Sequence, residues 1–155
     1  MEYIDVNSGM EIVERDECLA LLAGEEVGRL GVVFGGQPEI FPVNYVLDGD
    51  GVVFRTDAGT KLAGATGGPV VFEVDHLDRA AKSAWSVILH GRADQVTVFD
   101  SPELRQRMSQ VSLYPWTSTA KPYLVRITPR LMTGRRIRHL PGLGTDWERG
   151  TYASK

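Results

Sequence analysis

Short runs of β-branched and aromatic residues alternate with polar positions along most of the chain, and glycine-containing turns separate the runs. Such runs are typical of strands joined by tight connections, and the pair Gly35-Gly36 marks a hairpin turn. Proline has no amide hydrogen, so we expect Pro42 at an edge or a bulge of its strand. Strands are predicted at 27–34, 39–47, 52–56, 69–75, 83–98 with a break near Gly91, and at 123–127 and 132–137 as one last strand or hairpin.

Two segments have the spacing of amphipathic helices. Residues 13–24 carry acidic side chains near the start, which suits the helix dipole, and Gly24 follows as a C-cap. Residues 102–111 are predicted as a second helix, and 60–66 as a short helical turn. Most connections between strands are too short for a crossover helix, which favours antiparallel pairing. The pattern therefore predicts a mainly β fold, a closed or nearly closed antiparallel barrel of roughly six strands without unpaired edges.

Composition fits one globular domain over residues 1–155, with a core over about 12–140 and a glycine-, proline- and polar-rich tail at 141–155. Apolar residues make up 43% of the chain and charged residues 24%, a balance that argues against intrinsic disorder. The formal net charge is −3. General nucleic-acid binders are usually strongly basic, so no nucleic-acid partner is expected.

No targeting signal or metal motif stands out. The first ten residues carry Glu2 and Asp5 and no apolar block, which is unlike a secretory signal. No stretch approaches the ~20 apolar residues of a membrane-spanning helix, so we expect a cytoplasmic protein without a membrane partner. Cys18 is the only cysteine and excludes an intramolecular disulfide or a cysteine-based zinc site. Its apolar neighbours Leu19, Leu21 and Leu22 indicate a small hydrophobic residue rather than a nucleophile.

The segment at 54–61 is the most informative for chemistry. It places Arg55, Thr56, Gly59, Thr60 and Lys61 at a predicted junction of strand and helix. A phosphate group is bound by such a set: backbone amides at a helix start, hydroxyl donors and one or two cations. The segment lacks the spacing of a Walker A loop and of a dinucleotide-binding fingerprint. A solvated polar turn is the alternative, and the residue pattern leaves both interpretations open.

Two other strands carry polar groups among apolar residues. Pro42 leaves one side of its strand without a donor, while Asn44 and Tyr45 add an amide and an aromatic ring with a polar tip. A flat heteroaromatic ligand suits that strand, although an edge strand with Tyr45 in the core is the simpler explanation. Trp85 and Ser86 lie in a strand of otherwise apolar residues. A buried serine there needs a hydrogen-bond partner, which a ligand could supply, whereas Trp85 also fits an ordinary core position.

In chain order, these segments resemble the pyridoxamine 5′-phosphate oxidase-like split-barrel flavoproteins. The likeness runs from about Leu19 to Arg138 and lies in the ordered set rather than in any one motif. The segments that carry it are Arg55-Thr56-x-x-Gly59-Thr60-Lys61-Leu62, Val71-Phe72-Glu73-Val74-Asp75 and Trp85-Ser86-Val87-x-x-x-Gly91-Arg92-Ala93. Two more, Pro42-Val43-Asn44-Tyr45 and Thr133-Gly134-Arg135-Arg136, are similar to the small actinobacterial branch of that superfamily.

The resemblance implies a six-stranded antiparallel split β-barrel that forms a homodimer, with two cofactor sites at the subunit interface. It implies FMN as the cofactor, with the deazaflavin coenzyme as the alternative. The cofactor contacts implied are Arg55, Thr60, Lys61 and Ser86 on the phosphate, Val43, Asn44 and Tyr45 along the isoalloxazine, Thr56 at the ring edge, and Trp85 near the ring or ribityl chain.

The implied activity is a two-electron reduction or oxidation of a small-molecule substrate, in which the cofactor supplies the hydride chemistry. A deazaflavin-dependent reductase and a non-catalytic flavin-binding or storage module are alternatives. Vitamin B6 oxidation is not expected, because the C-terminal basic constellation that holds the vitamin's phosphate is not recognisable. No catalytic side chain and no metal ligand is assigned. His76 and His90 are interpreted as structural residues, with haem ligation as a weaker alternative.

Five arginines and no acidic residue fall between Arg126 and Arg138. Solvent-exposed or ion-paired strand positions explain them most simply, with Glu73, Asp75 and Asp78 as candidate partners. An anionic ligand tail and nucleic-acid phosphates are the two other interpretations. The aromatic loop at 114–117 either covers the cofactor ring or is an anchored surface loop.

Overall fold

The computed structural model of the chain describes residues 3–4, 10–56, 66–96, 102–110 and 123–138. These residues form eight strands and two helices. The elements in chain order are β1 (Tyr3–Ile4), β2 (Glu11–Val13), α1 (Arg15–Ala23), β3 (Val27–Phe34), β4 (Gln37–Asp48), β5 (Gly51–Thr56), β6 (Pro69–Asp78), β7 (Ser83–Val96), α2 (Pro102–Gln110) and β8 (Tyr123–Ile137). The helical turn predicted at 60–66 lies almost wholly outside the described residues.

Six strands close into a ring in the order β8-β5-β4-β3-β6-β7, and β7 pairs back onto β8. Every pairing in the ring is antiparallel. The predicted six-stranded split barrel is therefore confirmed. Two short strands that the pattern did not predict, β1 and β2, extend the sheet from the C-terminal part of β8. That part of β8 extends beyond its pairing with β5, so the strand edge that β5 leaves free there pairs with β2.

The two predicted segments at 123–127 and 132–137 form one long strand, β8, with an irregularity in its middle. A register shift between His90 and Gly91 of β7 leaves Arg130 as an extra residue in β8. Gly91 is required there, because a Cβ atom would lie 2.4 Å from the carbonyl oxygen of Thr128. The predicted break near Gly91 is thus a β-bulge within a continuous ladder.

The turns follow the glycine pattern. Gly35 and Gly36 have φ values of 57° and 77°, which suit the two-residue turn between β3 and β4.

Pro42 pairs with Arg29 of β3, whereas the ladder between β4 and β5 begins only at Tyr45. The other side of Pro42 therefore has no strand neighbour among the described residues, as its missing amide hydrogen predicts.

The barrel interior is apolar, and α1 covers one end of it. Cys18 and Leu22 of α1 are fully buried in the same cluster as Phe54 and Phe72. The Tyr45 hydroxyl donates a hydrogen bond of 2.6 Å to the Leu22 carbonyl oxygen. This bond ties the C-terminal turn of α1 to β4.

The second helix covers part of the outer surface. Leu104 of α2 packs against Val53 and Leu124, which face away from the barrel interior. Arg107 of the same helix donates to the carboxylate of Asp48 at 2.6 Å, at the end of β4. Neither of the described helices has the length and hydropathy needed to cross a lipid bilayer.

Candidate functional site

We call the end of the ladder between β4 and β5 the notch. Their ladder ends at the pair Tyr45 and Phe54, and the next residues along, Asn44 and Arg55, belong to the outward-facing positions of the two strands because side chains alternate. Arg55 is partly buried, between the buried Phe54 and Thr56. Thr56 is the last residue of β5. The notch therefore brings Asn44 and Arg55 together on one outer surface.

The segment predicted to bind a phosphate follows directly after the notch in the sequence. The predicted contacts Thr60 and Lys61 lie at 57–65, outside the described residues, so their roles stay predictions. The structure describes the chain up to Arg55 and Thr56, the last two residues of β5 before that segment. Both residues are held in register by pairing with Leu124 and Tyr123 of β8.

The three predicted ring-lining residues of β4 do not share one face. Val43 and Tyr45 point toward the core, while Asn44 points outward. Tyr45 is 2% exposed, its ring meets Phe72 edge-to-face at 5.0 Å, and its hydroxyl is bound to Leu22. Burial, reinforced by the charge of Glu25, raises the pKa of the Tyr45 phenol far above its usual value. A ligand on the outer surface could therefore meet the Asn44 side chain, but only the main chain of Val43 and Tyr45.

Trp85 and Ser86 are neighbours in β7 and point to opposite faces. Trp85 packs against the edge of the core at the end of the barrel that α1 covers. Its indole ring stacks on His76 with 6.2 Å between ring centroids and 15° between planes. Nδ1 of His76 lies 3.0 Å from a carboxylate oxygen of Glu25, which positions the imidazole. Ser86 points outward, opposite Asp75 of β6 and Arg135 of β8.

The predicted contacts therefore form two separate groups. Asn44 and Arg55 lie at the notch, and Ser86 lies on β7, with β3 and β6 between β4 and β7. Three strand spacings amount to about 14 Å. No side chain spans that distance, so one chain alone does not bring the two groups into contact.

An ion-paired arginine lies between the two groups and was not found from the sequence. Arg29 of β3 donates to Glu73 at 2.8 Å and also to Asp75, both on β6. The hydrogen bond to Asp75, with the charge of Glu73, raises the pKa of Arg29 above its usual value despite partial burial. No local sequence signal pairs residues 44 and 46 positions apart, because only the β3–β6 ladder brings them together.

Three arginines of the segment 126–138, namely Arg126, Arg136 and Arg138, form ion pairs with other partners than the sequence suggested. Arg126 donates to Asp48 at 3.3 Å. Arg136, 12% exposed, donates to Glu11 at 3.2 Å and to Glu17 at 2.5 Å. The expected partners Glu73 and Asp75 pair with Arg29 instead. Strands distant in sequence decide these partners.

Arg136 and Arg138 also line a cavity of about 330 Å³ beside Trp85, together with Ala81, Ser83 and Ala84. Arg138 lies 3.2 Å from Glu11, so that carboxylate contacts both guanidinium groups. Burial opposes the charge of Arg136, yet Glu17 and Glu11 outweigh it and its pKa is raised. Both cations are thus already neutralised by protein carboxylates, which favours the structural interpretation of this arginine cluster.

The remaining candidates have structural surroundings. Cys18 is fully buried, its thiol donates to the Val13 carbonyl oxygen at 3.4 Å, and burial raises its pKa. His90 is exposed on the outer face of β7. No three His, Cys, Asp or Glu side chains of the described ranges converge as metal ligands. The loop at 114–117 lies outside those ranges.

Comparison with known proteins agrees with the fold. The sequence model of the pyridoxamine 5′-phosphate oxidase family matches residues 14–136. An uncharacterised protein of Mycobacterium tuberculosis is 35% identical over 138 residues, which cover 84% of this chain and 88% of that protein. The solved structure of an FAD-binding protein from Mycobacterium smegmatis is 33% identical, covers 83% of this chain and 98% of its own, and superposes with a TM-score of 0.67.

A more distant structure extends the likeness of the fold. An FAD-binding protein from Mesorhizobium loti is 23% identical, with a TM-score of 0.69 and coverage of 83% and 98% of the two chains. The family model spans the barrel from the start of α1 to the end of β8. The chain therefore belongs to the pyridoxamine 5′-phosphate oxidase-like family of split-barrel proteins.

Proposed function

We propose that this protein binds a flavin nucleotide and catalyses a two-electron oxidation or reduction of a small molecule. The observation that carries the proposal is the notch between β4 and β5. It presents Arg55 and Asn44 together, directly before a segment that contains Thr60 and Lys61. The likeness to the Mycobacterium smegmatis protein, which is described as FAD-binding, supports it over nearly the whole length of that protein.

The donor set fits a nucleotide phosphate joined to a flat ring. Arg55 supplies a guanidinium group, and Thr60 and Lys61 add a hydroxyl and an ammonium group, the donors that phosphate oxygens accept best. Asn44 supplies an amide that can both donate to and accept from the polar edge of a heteroaromatic ring. We therefore assign the phosphate to Arg55, Thr60 and Lys61, and the ring edge to Asn44 and the main chain of Val43 and Tyr45.

When bound, the flavin supplies hydride transfer, and the protein contributes position and charge. Arg55 neutralises the phosphate, while Asn44 orients the ring through hydrogen bonds. Thr56 is buried at the end of β5 and pairs with Tyr123 of β8, which fixes the strand end beside Arg55. None of these groups needs to transfer a proton to the substrate, so the reaction class follows from the cofactor and from the substrate that stacks on the exposed ring face.

The cofactor site takes residues from two chains in this proposal. On its own chain, Ser86 lies three strand spacings, about 14 Å, from Asn44, and Arg55 on β5 is one spacing further along the same path. One phosphate cannot meet both Arg55 and Ser86 of a single chain. A homodimer would let Ser86 and Trp85 of a second copy complete the site that Asn44 and Arg55 begin.

Oxidation of a vitamin B6 phosphate is not part of the proposal. The cationic groups near Trp85 that could hold a second phosphate, Arg136 and Arg138, are already bound to Glu11 and Glu17. A substrate phosphate would have to displace these carboxylates.

Titration of the purified full-length protein with FMN, FAD and a deazaflavin coenzyme tests the cofactor. We expect quenching of flavin fluorescence and saturable binding by at least one of the three. The substitution Arg55→Gln should weaken that binding by about 10- to 100-fold, the usual worth of a charge-assisted hydrogen bond. Arg15→Gln is the matched control, because Arg15 pairs with Asp50 away from the notch. Absence of binding by all three, or equal loss in both variants, would refute the proposal.

Turnover separates an enzyme from a storage module. Steady-state assays should combine nicotinamide donors with quinone, nitro or oxygen acceptors, using the cofactor that binds. We expect rates that saturate with acceptor and fall with Arg55→Gln. Tight cofactor binding without turnover for any pair would favour the non-catalytic module instead.

A further inference from the structure

An open groove of about 490 Å³ lies on the outer surface of the barrel near the turn between β3 and β4. We call it the hairpin groove, and its lining comes from five strands that are neighbours in the order β4-β3-β6-β7-β8. Pockets that bind small molecules typically enclose roughly 300–1,000 Å³ and have mainly apolar walls. The hairpin groove meets both conditions, since its walls include the side chains of Val33, Pro38, Ile40 and Val71.

Gly31 of β3 lies in the middle of the groove and leaves its floor open. It pairs with Ile40 on one side and with Val71 on the other, so a glycine separates two apolar side chains of one row. A Cβ atom on Gly31 would lie no closer than 3.6 Å to any other atom, and its φ is not positive. Neither packing nor backbone conformation therefore requires glycine here, in contrast to Gly91. A glycine within a strand often marks a place where a ligand approaches the main chain closely.

Arg130 lies at the β8 border of the groove because of the β-bulge. It is the extra residue that the register shift between His90 and Gly91 leaves in β8. Bulges re-aim side chains and are frequent next to functional sites, and the Arg130 side chain lines the groove. The other arginines of the segment 126–138 have partners within the chain, whereas Arg130 forms no hydrogen bond or ion pair with the part of the chain that the structure describes.

The other polar groups of the lining leave the Arg130 border favourable for an anion. His90 of β7 pairs with Leu131, the residue after Arg130, so its imidazole can add a hydrogen-bond donor at the same border. Glu39 lies at the opposite border on β4, with three strands between it and β8. Glu39 also has an interaction partner of its own. The groove therefore combines one cationic border with an apolar centre.

We infer that the hairpin groove binds a small carboxylic acid with a flat apolar body. The carboxylate would pair with Arg130, because a guanidinium group presents two parallel donors that match the two carboxylate oxygens. The flat body would lie on the main chain at Gly31, between Ile40 and Val71. Ile40 is 72% exposed, so covering it removes apolar surface from water. One cation balances one negative charge, which favours a carboxylate over a doubly charged phosphate.

This site is separate from the proposed flavin contacts. Ile40 and Asn44 are four residues apart on β4, and His90 and Ser86 are four residues apart on β7. Residues four apart in a strand lie about 13 Å from each other. The inference therefore does not depend on the proposed function, and the protein without flavin can test it.

Calorimetric titration of the full-length protein without flavin measures binding. The probe is 2-naphthoate, and 2-naphthamide is the matched ligand with the same rings and no charge. We expect saturable binding of one naphthoate per chain. The amide should bind about 10- to 100-fold more weakly, the usual effect of losing a hydrogen bond to a charged group. Absence of saturable naphthoate binding, or equal affinities for the acid and the amide, would overturn the inference.

Two substitutions locate the bound probe. Arg130→Gln should weaken naphthoate binding at least 10-fold and change naphthamide binding less than twofold. Gly31→Val should weaken the binding of both ligands at least 10-fold, because its side chain would occupy the groove floor. Arg92→Gln is the matched control and should change naphthoate binding less than twofold, since Arg92 lies on the same strand as His90 but pairs with Asp94.

Circular dichroism checks that each variant keeps the wild-type fold. Gly31→Ala, for which the structure has space, takes the place of the valine variant if that variant does not fold. Equal losses in Arg130→Gln and Arg92→Gln would overturn the assignment of the carboxylate. Full naphthoate affinity in the folded Gly31 variant would overturn the position of the apolar body.

A second copy of the chain is the competing occupant of an exposed apolar groove. Repeating the naphthoate titration at tenfold lower protein concentration distinguishes the two. We expect the same Kd at both concentrations. An affinity that rises on dilution would show that another copy covers the groove, and would overturn the inference.

Discussion

The hydroxyl of Tyr45 offers a sharp test of how α1 is attached to the barrel. Tyr45→Phe removes the hydrogen bond of 2.6 Å to the Leu22 carbonyl oxygen and leaves the aromatic ring in place. The edge-to-face contact with Phe72 at 5.0 Å is therefore retained. The substitution isolates one buried polar interaction between the helix and β4.

Two different free-energy costs are possible for removing this hydrogen bond, and the structure decides between them. A buried carbonyl left without any donor costs about 1–3 kcal/mol, whereas a replaced neutral hydrogen bond costs about 0.5–1.5 kcal/mol. The Leu22 carbonyl oxygen also accepts from the amide of Glu25 at 3.4 Å, so it keeps a weak donor after the substitution. We therefore expect Tyr45→Phe to lower the free energy of unfolding by about 1 kcal/mol, which corresponds to roughly 2–4 °C in Tm for a chain of this size.

Urea unfolding measures the effect. The midpoint should fall at an unchanged m value, which shows a loss of stability without a change in the surface exposed. Tyr45→Leu is the comparison, because it also removes the ring and should cost clearly more, about 2–4 kcal/mol. An unchanged midpoint in Tyr45→Phe would refute the hydrogen bond. A tenfold or greater loss of flavin affinity would instead assign the hydroxyl to the ligand.

Two further predictions concern stability. Gly91→Ala should lower the free energy of unfolding by about 3 kcal/mol, because its Cβ would lie 2.4 Å from a main-chain oxygen of β8. Gly31→Ala is the control and should change stability by less than about 0.5 kcal/mol, because its Cβ would lie 3.6 Å from the nearest atom, the Val71 carbonyl oxygen. Equal urea midpoints for the two variants would contradict this prediction. Hydrogen bonds from Arg107, then Arg126, lower the pKa of Asp48 below its usual 3.8. Because the pKa of this carboxyl is lower in the folded than in the unfolded protein, ionised Asp48 stabilises the fold at pH values above 3.8. This stabilisation is lost as the pH falls through the pKa of Asp48 in the folded protein. Asp48→Asn should therefore cost about 1 kcal/mol at pH 7, discounted for solvent screening. The difference in the free energy of unfolding between the two proteins should shrink as the pH falls below 3.8, and a difference that stays constant down to acid unfolding would count against the ion pairs.

Much of the secondary structure was predictable from local pattern. The bounds of β3 match the prediction, and those of α1, β4 and β5 differ from it by one or two residues. The reason is that alternation, glycine turns and helix-end residues act over a few positions. The segment at 123–137 was ambiguous because Pro129 and Arg130 interrupt the alternation. The extra residue turned out to be a bulge opposite Gly91 rather than a turn.

The candidate site was only partly predictable. Sequence reasoning selected Asn44, Arg55 and Ser86 from residue type and resemblance, and all three lie on the outer face. It also grouped Val43 and Tyr45 with Asn44, although alternation along β4 places them on opposite faces. The strand pattern was available in the sequence, but which face becomes the core depends on what packs against it.

The sequence by itself determined that the chain forms short antiparallel strands with polar turns, because hydrophobic alternation and glycine positions are local properties. Only the tertiary structure decided which strands close the ring, which carboxylates pair with each arginine, and how far Ser86 lies from Arg55. Ion pairs such as Arg136 with Glu11 join residues 125 positions apart. The ladder between β2 and β8 brings these two residues together. No local sequence pattern predicts that these two strands pair.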